Sequence, residues 1–283
     1  MATNLTNTTF LSEYNDDFRD SDHYHRILFN NGRALQAREL TQSQSIIQAE
    51  LARLSRFIVN EGAIFNNSAS LASGVNAFSY TYLKVSSLPI GYAALKGTKI
   101  NDGDLFAIVK DVLPAANGDP DTLFVKMSEG KVGGADEAEV TTVSKPFVAG
   151  ATLTTDLGNI TIQSVNDAVG KCSIVDIPQF DTYAGNHLVM VDAQSLVLSK
   201  YTSTFTGTVG FKVVEEIITT ADNIALFDNS GSTPNLTSPG ADRLKITLTL
   251  TTKDQIVASD TFYEVYKVIN GQVSLTKTPD KIL

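Results

Sequence analysis

From Gly74 to the end of the chain a turn signal recurs about every 8 to 16 residues, and that spacing limits the fold more than any other feature. Gly91, Lys96-Gly97, Asn101-Asp102-Gly103-Asp104, Asn117-Gly118, Gly158-Asn159, Gly185-Asn186 and Asn270-Gly271 are among these signals. Between them apolar residues sit among Ser, Thr and Lys. Tyr80, Tyr82, Leu83 and Val85 begin this texture, which is the period-two pattern of half-buried strands. Short strands at this spacing build sandwiches or barrels, whereas parallel βαβ units need helices between the strands. Gln194-Ser195-Leu196-Val197-Leu198 reads equally as helix or strand.

The chain has 283 residues, 42% of them hydrophobic, enough for one large or several small cores. Charged residues make up only 19%, so much of the polarity comes from Thr, Ser and Asn, which suit exposed sheet faces and turns. The net charge of −9 argues against a nucleic-acid partner, which requires a surplus of Lys and Arg on some face. Cys172 is the single cysteine, so no internal disulfide forms, and its alternating apolar surroundings predict a small buried core residue. The N-terminal MATNLTNTTFLSEYNDDFRD has no basic stretch followed by an apolar run. No segment reaches the roughly 18 apolar residues of a membrane helix, so neither export nor membrane insertion is expected.

One segment breaks the β texture. Leu40, Gln44, Ile47, Leu51, Leu54 and Ile58 follow one another at alternating four- and three-residue steps, the a/d spacing of a helix packing lengthwise on other helices. Gln44 is the polar member of the row, and a polar residue there fixes register and partner number at some loss of stability. The same amphipathic helix could instead lie on its own β domain, and the spacing leaves both options open. Arg26 to Phe29 reads as a short strand leading into the turn Asn30-Asn31-Gly32. The helix then begins near Gln36 and ends at Asn60-Glu61-Gly62, with Gly62 as the residue after its C-cap. Tyr24, Phe29, Phe57 and Phe65 are the expected apolar anchors around it, with core packing favoured over interface. Residues 1–20 read as a polar arm, mobile or draped on a neighbouring subunit.

The stretch LFNNGRALQARELTQSQSIIQ resembles the N-terminal signature, close to FNPGRALQARELTQLQ, of a family of structural proteins from tailed bacteriophages, among them marine and cyanobacterial myoviruses. Asn31 stands where that pattern has Pro, which loosens the turn. Ser43 stands where it has Leu, which removes an apolar side chain beside the a/d row. LFDNSGSTPNLTSPGADRLKITLTL, residues 226–250, is similar to a second motif of the same family built around PGADR. The resemblance implies a virion role in the tail, baseplate or tail-fibre region, and no reaction. It also implies a shortened member, since longer relatives continue beyond the point matching Leu283. Arg33, Arg38 and Glu39 lie inside the first signature, where they are expected to pair across the turn or with a neighbouring subunit.

Chemistry-bearing motifs are scarce. His23 and His25, with Asp20 and Asp22, are weighed as metal ligands, but a polar entry segment lacks the fixed second layer of partners a metal site needs. Asn101-Asp102-Gly103-Asp104 and Asp119-Pro120-Asp121 look like fragments of calcium loops without the spaced Glu, so turn formation is the favoured explanation. No nucleophile, zinc or phosphate-loop pattern occurs, and three histidines offer few general bases.

The expected fold is therefore mainly β with one long N-terminal α-helix, the helix being accompanied by two or more small antiparallel β sandwich or barrel units. Residues 1–20 form the arm, 21–71 a strand–turn–helix assembly region, 72–218 a β domain and possible insertion, and 219–283 a C-terminal β unit that pairs with strands flanking the helix. The expected role is that of a non-enzymatic phage tail or baseplate subunit without cofactor or metal, assembled in the host cytoplasm. It would form a homotrimer and attach a tail fibre or neighbouring baseplate protein. Its interface residues are Arg33, Arg38, Leu40, Gln44, Ile47, Leu51, Leu54 and Ile58. The alternative is a receptor-binding module holding host glycan on a surface around Tyr80, Tyr82 and Tyr92.

Overall fold

The computed structural model describes residues 7–65, 80–103, 105–128, 146–228, 233 and 235–276. The chain is mainly β, in antiparallel sheets, as the alternation predicts. Two helices come first, α1 (Asn7–Tyr14) and α2 (Ala37–Ile58), so the long helix follows an already folded N-terminal stretch. Gln36, extended at φ −99 and ψ 144, precedes its first turn. The Gln36 backbone N–H donates to Glu39 Oε2 at 3.0 Å, and the Glu39 charge also suits the positive end of the helix. The Arg26–Phe29 segment expected to be a strand joins none of the sheets among the described residues.

The helix stops where Val59 turns extended, at φ −144 and ψ 153, and buries its side chain. Gly62 is consequently not the residue after the C-cap. It sits in the turn Asn60–Ala63, closed by Ala63 N–H to the Asn60 carbonyl at 3.0 Å. Its φ of +79 is strained for any residue with a Cβ, and a Cβ there would lie 3.0 Å from the Tyr263 ring.

The strand that follows, β1 (Ile64–Phe65), is expected to pair with the C-terminal unit but pairs with β9 instead. Gly62 N–H donates to the Tyr183 carbonyl at 2.7 Å and the Thr182 hydroxyl to the Ala63 carbonyl at 2.7 Å. These bonds zip the chain leaving the helix onto β9.

Next come β2 (Tyr80–Lys84), β3 (Lys99–Asn101), β4 (Phe106–Leu113), β5 (Thr122–Ser128), β6 (Thr152–Thr155), β7 (Gly158–Thr161) and β8 (Val169–Ile177). The hairpin β9 (Phe180–Ala184) and β10 (His187–Val191) follows, then β11 (Gln194–Ser199), which resolves the ambiguous segment as a strand. The remaining strands are β12 (Gly207–Ile218), β13 (Phe227–Asp228), β14 (Asn235–Pro239), β15 (Arg243–Thr252), β16 (Phe262–Ile269) and β17 (Gln272–Thr276).

Eight strands make one sheet in the order β11-β8-β2-β5-β4-β3-β6-β7. Just past β7, Ile162 bridges Val85 at the end of β2, with Ser86 N–H to the Thr161 carbonyl and Gln163 N–H to the Lys84 carbonyl, each at 2.9 Å. The strands from β2 to β7 thus curl until the last meets the first. Leu83, Val85, Ile100, Val109, Val125 and Ile160 fill the space they enclose. On the outer face of β2, Tyr80 and Tyr82 pack with Phe124, Cys172 and Ile174.

That packing removes the proposed glycan surface: Tyr80 and Tyr82 are 2% and 7% exposed, and Tyr92 is half-buried against the enclosed core. Cys172 is buried as expected, and burial pushes its thiol up to about 12, which leaves it protonated and unreactive at neutral pH.

A second core lies between the three-stranded sheet β1-β9-β10 and the four-stranded sheet β15-β12-β16-β17. Phe180, Val191, Phe211, Val213, Leu250 and Tyr266 meet there, with the rings of Phe180 and Phe211 5.3 Å apart. The four-stranded sheet draws on both β stretches, since β12 falls within 72–218 and its partners within 219–283. The turn acids serve the hairpins. Asp119 closes the Ala116–Asp119 turn and Asp102 Oδ1 accepts the Leu105 N–H at 2.8 Å, while Asp104 lies outside the described residues.

Candidate assembly interface on the long helix

A helix advances about 100° per residue, so α2 can be divided into a face that touches the rest of the chain and a face that does not. The covered face runs through Gln42, Ser45, Ile46, Ala49 and Ala52, with Ile46 3% and Ala52 5% exposed. Around Ile46 it is built from small and polar side chains. They let the helix approach closely enough for the Tyr183 hydroxyl to donate to the Ala52 carbonyl at 3.2 Å. Gln48 Nε2 donates to the Asn186 carbonyl at 2.7 Å, and Arg56 donates to the Asn186 side chain, which anchors the helix on the tip of the β9–β10 hairpin.

The N-terminal arm covers a second flank of the helix. It was expected to be mobile or to reach a neighbour, yet residues 7–20 lie on their own chain. The Asp16 carboxylate accepts from the Ser45 hydroxyl and Asp17 from Gln42. Arg38 lies 3.4 Å from Asp17, and Arg53 lies 3.4 Å from Asp20. At the far end the Tyr14 hydroxyl donates to Asp242 Oδ2 at 2.7 Å; burial and then that carboxylate push its phenol up to about 12. Asp242 belongs to the PGADR stretch, so the arm ties the two signature segments together. The ion pairs are exposed ones, worth only about 0–1 kcal/mol each, so they orient the arm more than they stabilise it.

The apolar row faces the other way. Leu40, Ile47, Leu51, Leu54 and Ile58 are 48, 59, 49, 56 and 46% exposed, and Gln44 is exposed with them. Phe57 beside the row is 75% exposed, and on the segment before the helix Tyr24 is 60% and Phe29 58% exposed. The expectation that Tyr24, Phe29 and Phe57 anchor a core therefore fails: the helix buries its opposite side and these rings stay in solvent. The Phe65 side chain lies outside the described residues. Arg33 is exposed in the Asn30–Arg33 turn, and Arg38 Nε donates to Gln36 Oε1 at 3.0 Å. Neither arginine is part of the apolar row.

An amphipathic helix with its oily side outward is an inverted arrangement for a lone chain. Each of these side chains is about half exposed, so covering it contributes on the order of 1 kcal/mol, or ~6 kcal/mol per helix with Phe57 included. Association itself costs about 4–15 kcal/mol, so the row alone gives marginal affinity. Leu28 and Leu35, 75% and 56% exposed on the same N-terminal segment, would have to join it in a stable assembly.

His25 Nδ1 lies 3.3 Å from Glu50 Oε1, and among the described residues no group of three or more His, Cys, Asp or Glu is placed to hold a metal ion. Among the described residues no helix is long and apolar enough to cross a membrane. Sequence reasoning missed the Tyr14–Asp242 and Asn186 contacts, which join residues far apart in the chain and leave no local pattern.

No curated protein and no solved structure matches the chain. A family model does match, over residues 12–75 and 152–282, and the stretch between carries β2 to β5. Because these two segments make up more than half of its length, the chain belongs to the family described as Domain of unknown function (DUF4815).

Proposed function

We propose that this chain is a structural subunit of a bacteriophage tail or baseplate, an oligomeric connector that joins a tail fibre or neighbouring baseplate protein to the particle. The observation that carries this reading is the solvent-facing apolar row of α2, held outward by a helix whose other side is docked on its own β domain. The two signature stretches that resemble phage virion proteins supply the setting, and the arm that links them gives the assembly region a defined shape. The subunit assembles as a homotrimer in the host cytoplasm, with its helix at the axis and its sheets turned outward to meet other virion proteins. It has no catalytic part in this reading. A glycan-binding surface around Tyr80, Tyr82 and Tyr92 is disfavoured, since Tyr80 and Tyr82 are core residues.

Immunogold labelling of purified particles with antibody against the chain tests the proposal. Gold at the tail or baseplate is the expected result, and particles that contain none of the chain would refute it.

A further inference from the structure

Resting on that reading, we infer that the occupant of the apolar face is the same helix from other copies of this chain, running parallel and in register about Gln44. Numbering the row by heptads puts Leu40, Ile47 and Leu54 at d and Gln44, Leu51 and Ile58 at a. In an antiparallel pairing every a residue faces a d residue of its partner. All three d residues are apolar, so in any antiparallel register the Gln44 amide is buried against Leu or Ile with its donors and acceptor unmatched. In a parallel, in-register assembly each Gln44 meets the other Gln44 side chains, and the amides satisfy one another. The row therefore carries a device that selects orientation as well as partner.

Charge points the same way. The chain carries a net −9, yet the e and g positions flanking the row contribute one charge, Glu50, whose carboxylate lies beside His25. Parallel packing sets g against e of the next helix, which places Glu50 beside Ser55. Antiparallel packing sets g against g and brings Glu50 toward its own copy. An identical helix thus meets this face without repulsion in only one orientation. The central pair, Leu51 at a and Ile47 at d, is also the combination that shifts parallel coiled coils from two strands to three or four.

Variants of the full chain that add one cysteine read the orientation, because Cys172 is buried and silent. Ile58→Cys is expected, on mild oxidation, to lose most of its monomer band to a covalent dimer by itself, and Leu54→Cys repeats the test should the first variant fold poorly. A mixture of Leu40→Cys and Ile58→Cys chains is expected to give no 40–58 product. Antiparallel helices centred between Ile47 and Leu51 would hold the two 58 positions about 27 Å apart, at 1.5 Å of rise per residue, and would give only the mixed product. That outcome overturns the parallel register while self-assembly stands. Wild-type chain that keeps the mass of one subunit at every concentration overturns the assembly reading itself.

Discussion

Replacing Ile47 and Leu51 together by Asp is expected to leave the chain folded and to abolish its assembly. Both side chains are about half exposed in the single chain, at 59% and 49%, and they point away from the Ile46 and Ala52 side that docks on the β9–β10 hairpin. Exposed substitutions of this kind change stability by about 0.5 kcal/mol or less. In an assembled bundle the same carboxylates would be buried and crowded together at the axis, a cost of several kcal/mol per chain that exceeds what the remaining apolar contacts contribute. The expected result is an unchanged far-UV spectrum and thermal midpoint at low concentration, with the mass of a single subunit. Loss of the folded signal would instead mean that the row is part of the subunit's own core.

Gly210→Ala is expected to destabilise the subunit itself. Gly210 lies in β12, the strand flanked by β15 and β16, at the point where the register toward β16 shifts so that Val209 faces Tyr266 and Gly210 faces Glu264. A Cβ there would stand 2.1 Å from the Tyr263 carbonyl oxygen and 2.6 Å from the Phe262 ring. Removing a glycine ordinarily gains about 0.4–1 kcal/mol by restricting the unfolded chain, but a clash with backbone cannot be relieved by turning a side chain. Strand β16 has to move away from β12, which opens the packing around Phe211 and Val265. The cost is about 3 kcal/mol, a fall in melting temperature on the order of 6–12 °C for a chain of this size. A midpoint within about a degree of wild type would show that the two strands are not held this closely.

How far the sequence was legible depends on whether a signal was local. Turn spacing and period-two alternation marked the chain as mainly β and located several turns, because each depends on a few adjacent residues. Alternation could not assign the faces of β2: the sheet carries a core on each side, so Tyr80 and Tyr82 are as buried as Leu83 and Val85. The helical row was equally plain, but periodicity finds a stripe without saying which stripe is covered. The covered one, with Ser45, Ala49 and Ala52, has little hydrophobic signal, since close approach to the hairpin selects for small size.

The end of the helix was misread for a related reason. Gly62 looks like a helix terminator, yet the helix ends at Ile58 because Val59 and Ala63 are drawn into a cluster with Tyr183, 120 residues away in sequence. The arm was expected to be mobile or draped on a neighbouring subunit because its partners on α2 and at Asp242 are ordinary polar residues at distant positions.

The most direct test of the account is the mass of the purified wild-type chain by light scattering across a concentration series. A mass of three subunits that dissociates on dilution is the result expected for a row of marginal affinity exposed on each copy. A single-subunit mass at every concentration would contradict it and leave the outward face of α2 without the partner assigned to it here.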